Sequence, residues 1–318
     1  MVLTGPALSA LTRSDAAMPH ATPRSAHSRR TRCVARRLAA ALAAALGVAA
    51  AAGSLSAHDF WLVPNAFAVA PGEPLAVRGQ TSTRFPTSLS AVVPERVADA
   101  RLLGASAEER IADLSVAGKS LMLRARPASA GQRVVAIALV PRTSRTAPQA
   151  LQRYIALEGA PALAERYARE GRFTGGDSLT QRTTKVAKTL VEVGRGGPRA
   201  FARGAGHALE FVPVTDPAAA RPGDTLAVRL LYRGTPLADA HLHAGAALDG
   251  AASDSAAAAG AAPDLTLVTD AGGVARVPVA RAGLWNVRTV HAAPAASEAR
   301  VWDVHFATLV FQIGGAAR

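Results

Sequence analysis

The 318-residue sequence holds one cysteine, Cys33, only three lysines (Lys119, Lys185 and Lys188), and 4% aromatic residues. Cys33 precedes an apolar run at residues 38–52, so a chain cut after that run has no cysteine, no disulfide and no lipid-anchored cysteine at its start. No aromatic residue is interleaved with a basic run, the pattern a nucleic-acid binder needs, and nucleic acid is therefore disfavoured as a partner. Nor does any apolar run reach the roughly 20 residues that cross a bilayer as a helix. The catalytic signatures Gly-x-Ser-x-Gly and His-Glu-x-x-His, a phosphate-binding loop and a mature cysteine nucleophile are all missing, so no enzyme class is indicated.

What is present begins with an export signal. Seven arginines precede Ala57 against the single acid Asp15, and the uncharged stretch 38–52 follows them before small residues. That order of basic, apolar and small segments is the plan of a secretory signal peptide over residues 1–57. The expected product is a periplasmic protein with 29 Lys and Arg against 22 Asp and Glu, a mildly basic surface.

Beyond the leader, short β-rich runs alternate with turn signals, as in Ala70-Pro-Gly-Glu-Pro, and predict a mainly β fold. Residues 58–147 read as a first sandwich-like β domain. Apolar residues then recur at helical spacing, predicting helices over 151–157, 161–171 and 177–193, a helical bridge spanning 148–205. From 206 to 318 about six strands return, separated by Gly, Asp and Pro turns, which predicts an antiparallel C-terminal sandwich. Residues 251–263, rich in Ala, Gly and Ser, read as a loop. The segments Thr235-Pro-Leu-Ala-Asp-Ala, Thr269-Asp-Ala-Gly-Gly-Val-Ala and Gly283-Leu-Trp-Asn-Val resemble transthyretin-like, immunoglobulin-type extracellular modules, which bind or space other proteins.

A wider resemblance covers nearly all of the mature chain. It is carried by His58-Asp-Phe-Trp-Leu-Val-Pro, Tyr154-Ile-Ala-Leu-Glu-Gly, Lys185-Val-Ala-Lys-Thr-Leu-Val and Leu209-Glu-Phe-Val-Pro-Val-Thr-Asp-Pro. It continues through Pro222-Gly-Asp-Thr-Leu-Ala-Val-Arg, Gly283-Leu-Trp-Asn-Val-Arg-Thr-Val-His and Trp302-Asp-Val-His-Phe-Ala-Thr-Leu-Val-Phe. With these segments the chain resembles the periplasmic nickel-uptake-associated (NikM-like) family. The resemblance implies an exported accessory to nickel or cobalt uptake, with an inner-membrane transporter as partner. An aromatic position of the family near the C-terminus is read as His305 here.

Six histidines remain after the leader, and five are candidate metal ligands. If the leader is cut after Ala57, His58 becomes the first residue, and its α-amino group and imidazole can chelate copper or nickel, which favour tetragonal nitrogen sites. A cut one residue earlier removes that chelate and leaves His58 as an ordinary strand residue. In a strand, Asp239, His241 and His243 share one face, where two imidazoles and a carboxylate can hold a divalent ion; the alternative is a solvated strand face. His291 lies in the segment that matches the family and is the partner expected for His58. His305 has Asp303 two residues before it on the same strand face, able to orient its ring. Against these stands a core role for His291, which shares strand parity with Trp285 and Val287. Besides the metal reading, two others stay open: an envelope interaction module without metal, and a copper protein built on an N-terminal histidine brace.

Overall fold

The computed structural model describes residues 59–159, 161–247 and 264–314. The expected leader, His58 and the segment 251–263 lie outside the described residues.

In chain order the first half gives β1 (Asp59–Pro64), β2 (Ala68–Val69), β3 (Leu75–Ser82), β4 (Val97–Leu103), β5 (Glu108–Arg110), β6 (Asp113–Ala117), β7 (Ser120–Ala125), β8 (Gly131–Leu139) and β9 (Arg142–Thr146). Helix α1 (Pro148–Tyr154) runs into a π-turn (Ile155–Gly159), and α2 (Pro161–Arg169) follows. Both α-helices open on proline, which has no N–H to leave unsatisfied in a first turn. The second half gives β10 (Leu179–Val193), β11 (Leu209–Pro213), β12 (Thr225–Tyr232), β13 (Thr235–Pro236), β14 (His241–Ala246), β15 (Leu265–Val268), β16 (Val274–Pro278), β17 (Gly283–Pro294) and β18 (Val301–Ile313).

Residues 177–193 were expected to be a third helix, because Leu179, Val186, Leu190 and Val193 fit helical spacing. They form β10 instead. Seven of its 15 residues are Thr or Val, whose branched Cβ favours extended backbone. The strand lies inside a ten-stranded sheet and is covered on both faces over its second half, so the in-out alternation that would betray a strand is erased.

This central sheet has the order β15-β14-β17-β18-β10-β8-β4-β5, with β2 and β9 also paired to β10. It draws strands from both expected sandwiches, and residues 57–318 make up one compact unit. The fold is mainly β, as expected, and one sheet runs through both of the halves read as separate sandwiches. Its pairings are antiparallel except for β10 with β18 and with β2.

Alternation along β18 separates the layers. Ala307, Leu309, Phe311 and Ile313 face the small sheet of β11, β12, β13 and β16, closing a core with Phe211, Leu226 and Val277. Trp302, Val304 and Phe306 point the other way, toward Leu151, Ile155 and Tyr167 of the helices. On that second face β1 also lies across the sheet, its own sheet β1-β3-β7-β6 burying Phe60 and Leu62 against Val135, Ile137 and Val191. Burial of so many apolar side chains on both faces, at about 25 cal/mol per Å² of apolar surface, is the main favourable term.

One charged pair sits inside the first core. Lys188 is 1% exposed, and its three donors go to Glu210 Oε2 (3.1 Å) and the carbonyls of Arg203 (2.9 Å) and Phe211 (2.9 Å). The Glu210 carboxylate also accepts from the N–H groups of Ala205 and Gly206, so both charges are fully engaged and tie the 203–206 loop to β10 and β11.

Candidate functional site

Two groups of titratable residues lie on opposite faces of the central sheet, and alternation along β17 separates them. Arg288 faces the helices and β1, as do Val290 and Ala292; His291 faces the small sheet, as do Trp285 and Val287.

The first group forms where β1 begins. Asp59 Oδ2 is 3.0 Å from Arg288 Nε, and Arg288 Nη1 is 2.6 Å from Asp264 Oδ2, so one guanidinium bridges two carboxylates. Arg288 stands directly opposite His243 in the β14–β17 ladder, which puts the His243 ring on the same face, with His241 two residues away on that face. The His241 carbonyl accepts from Thr289 Oγ1 at 2.6 Å, fixing this end of β14. Gly245 makes room for Asp264: a Cβ at that position would collide with the Asp264 carboxylate. From the helical side the π-turn brings Glu158 close enough to act on Asp59, Tyr154 and His243, and β10 brings Lys185, whose ammonium lies 4.8 Å from the centre of the Phe306 ring.

Burial dominates the electrostatics. It pushes the Asp59 carboxyl up to about 6, against the pull of Arg288 and with help from Glu158. It pulls the Lys185 ammonium down to about 8 despite the attraction of Asp59, and raises the Tyr154 phenol. His243 is held below the usual histidine range by burial and by Arg288. The charged groups acting on Asp59 and His243, with Asp59 itself, are three carboxyls (Asp59, Glu158, Asp264) against two cations (Arg288, Lys185).

The second group is a cross-strand pair, with His291 directly opposite His305 in the β17–β18 ladder. The Tyr232 ring lies 4.5 Å from the His291 ring and 5.6 Å from the His305 ring, centre to centre. Burial, with the neighbouring His305, lowers His291 to about 4; burial also lowers His305, against the pull of Asp303. Asp303 is occupied by Arg182 (2.6 Å) and Arg233 (3.5 Å) rather than being free to orient His305. The guanidiniums Arg166, Arg182 and Arg233 act on these rings, and of the carboxylates only Asp303 does so directly, with Glu298 paired to Arg182 at 2.9 Å.

Each expected ligand can now be placed. His241 and His243 share a face as predicted, but Asp239 does not join them. It precedes β14 in an exposed turn with φ 56°, in the left-handed region, and its N–H donates to the Thr269 carbonyl at 3.1 Å. His291 and His305 are brought together, on the face opposite His241 and His243. His58 lies outside the described residues; its covalent neighbour Asp59 is paired with Arg288, the ladder partner of His243, whereas His291 was the partner expected for His58. Among the described residues, no three His, Cys, Asp or Glu side chains cluster closely enough to hold a metal ion. Sequence reading missed Glu158, Asp264 and Arg288, each ordinary in its local pattern. Lys185 carried a signal in the scarcity of lysine.

Comparisons with known proteins add a family. The family model described as "Domain of unknown function (DUF4198)" matches residues 55–293, a span that includes every residue of the first group. No curated protein matches the chain. Among solved structures, a Salmonella alpha-2-macroglobulin reacted with methylamine is 12% identical with a TM-score of 0.22, over 80% of this chain and 15% of that one. A trypsin-activated alpha-2-macroglobulin from Escherichia coli is 9% identical with a TM-score of 0.21, over 80% of this chain and 16% of that one. The ectodomain of mouse nectin-like molecule 4 is 12% identical with a TM-score of 0.16, over 82% of this chain and 66% of that one. The chain thus spans less than a fifth of either macroglobulin, and at these scores none of the likenesses bears on function.

Proposed function

The chain belongs to the DUF4198 family of domains of unknown function, and from that premise we propose that it is a periplasmic accessory protein that binds a divalent transition metal as cargo for an inner-membrane uptake transporter. Nickel or cobalt is the expected cargo, on the strength of the sequence resemblance to nickel-uptake proteins; copper is the alternative. The observation that supports this reading is the charge around His243: an imidazole lowered by burial and by Arg288, with two carboxyls, Glu158 and Asp264, acting on it against that one guanidinium. His243 and His241 are the nitrogen donors of the described part of the locus, and Asp59 and Asp264 the nearby carboxylates. These do not enclose an ion by themselves, so the reading requires a further donor, and His58 is one peptide bond from Asp59.

No helix among the described residues is long and apolar enough to cross a membrane, which is compatible with delivery to a separate transporter. A second reading, an envelope interaction module without metal, is favoured by the bridging of Asp59 and Asp264 by Arg288. Equilibrium dialysis of the chain beginning at His58, and of one retaining Ala57, against nickel, cobalt and copper separates the two. The metal reading expects binding tighter than about micromolar, weakened about tenfold or more by His243→Ala. No binding at that level by either chain sinks it.

A further inference from the structure

Immediately behind the Asp59–Arg288 ion pair the interior becomes polar without being charged. Trp61 follows Asp59 on the same face of β1, and Asn286 precedes Arg288 on the same face of β17, two residues away in each case. Val310 of β18 lies between Asn286 on one side and Thr189 of β10 on the other, each its direct partner in the ladder. Trp61 packs on Val310. These three polar side chains therefore line one wedge between β1 and the central sheet, and Phe85 closes over Trp61 edge to face at 5.3 Å.

All three are sealed: Trp61 and Asn286 are 1% exposed and Thr189 0%. Yet Trp61 Nε1, Thr189 Oγ1 and both Asn286 amide atoms have no hydrogen-bond partner among the described residues. Gln80 Oε1, on the cross-strand neighbour of Trp61, has none either. Each unpaired buried group carries an uncompensated desolvation cost, so several in one wedge would remove much of a domain's net stability. Such groups in a native protein are met by a guest.

The inventory identifies the guest. The indole offers only a donor, Gln80 Oε1 only an acceptor, the Asn286 amide one of each kind, and the Thr189 hydroxyl both. No ionised side chain is among them, so neither an anion nor a metal ion finds a countercharge. We propose that this wedge is a binding site for a small cluster of ordered water, held by Trp61, Thr189 and Asn286 as the inner wall of the Asp59 locus. Water both donates and accepts and is the smallest guest that does so, and buried water makes about three hydrogen bonds to otherwise unsatisfied groups. The site stands whether or not the locus in front of it takes a metal.

Nuclear magnetic resonance of the full chain tests it. The three indole N–H signals separate by environment, since Trp285 Nε1 donates to the Arg281 carbonyl at 3.0 Å, and Trp61→Phe assigns the one that disappears. The Trp61 indole proton is expected to give an Overhauser cross-peak of bound-water sign. A dry indole, or crystallographic density in the wedge for a molecule larger than water, overturns the proposal. Thermal unfolding of the double variant Thr189→Val with Asn286→Leu gives a second readout, through its sign. Evicting bound water from around the remaining polar atoms lowers the midpoint by several degrees, whereas removing merely unpaired groups raises it, which counts against the site. Should that variant fail to fold, the indole cross-peak decides.

Discussion

His243 and His291 sit on neighbouring strands of one sheet, yet their surroundings are electrostatic opposites. Around His243 two carboxyls, Glu158 and Asp264, meet one guanidinium, Arg288; around His291 two guanidiniums, Arg166 and Arg233, act on the ring and no carboxylate among the described residues does so. The cause is a difference of three residues along β17, which sends Arg288 to one face and His291 to the other. Histidines are therefore poor guides to a metal site when counted alone. What distinguishes the two pairs is the charge the other strands bring to each face, and the N-terminal strand brings Asp59 to only one of them.

Arg288→Ala strikes the first face hardest. Removing the guanidinium leaves Asp59 buried against Glu158 and Asp264 with only Lys185 to offset them. Breaking one side of a buried pair costs about 3–5 kcal/mol. Arg288 is partly exposed, so a loss of about 2–4 kcal/mol is expected in urea unfolding at pH 7. A loss below about 1 kcal/mol would show that the bridge is peripheral. The same variant sharpens the metal reading: Asp59 and Asp264 lose their guanidinium partner, and nickel affinity should rise, most clearly above pH 7, where the Asp59 carboxyl that Arg288 no longer lowers is ionised. An unchanged or weaker affinity would mean that these carboxylates take no part in binding.

The sequence predicted the two faces unequally, for a physical reason. Strand parity alone put His241 with His243, and β18 (Val301–Ile313) falls among the strands expected between 206 and 318, its aromatic and β-branched residues bounded by turns. Three features escaped. The helical spacing of apolar residues in 177–193 concealed a strand buried on both faces. Asp239 fits the strand parity of His241, but a turn with positive φ ends the strand before reaching it. The approach of Arg288 to Asp59 depends on a contact between positions far apart in sequence, on strands from different sheets, and no local pattern encodes such a contact.

The second face should announce itself in acid. Because His291 is lowered to about 4 when folded and titrates near 6.5 when unfolded, the unfolded chain binds more protons between those values. The contribution of His291 is fully present above pH 6.5 and is lost as pH falls through about 4. A loss of about 1–3 kcal/mol over that window is expected in the wild type, after discounting for its partial exposure. His291→Phe should flatten that part of the profile, and His243→Asn should flatten it by a smaller amount, since His243 is lowered too, by burial and by Arg288. Identical profiles for wild type and His291→Phe would show that the second pair is not held neutral by the fold.

The smallest effect is the most discriminating. His305 is 8% exposed and its Nε2 has no hydrogen-bond partner among the described residues, so the ring is buried largely as an apolar disc against Tyr232. Replacing an unpaired buried polar atom by carbon of similar shape is near neutral or slightly favourable. His305→Phe is therefore expected to change stability by less than about 1 kcal/mol, with a gain more natural than a loss, and to leave metal affinity unaltered. A ligand role predicts the reverse on both counts: metal affinity lost, and metal-dependent stabilisation lost with it. If His305→Phe abolishes binding while His243→Ala does not, the cation belongs on the face where guanidiniums outnumber carboxylates, and charge balance is the wrong criterion for locating it.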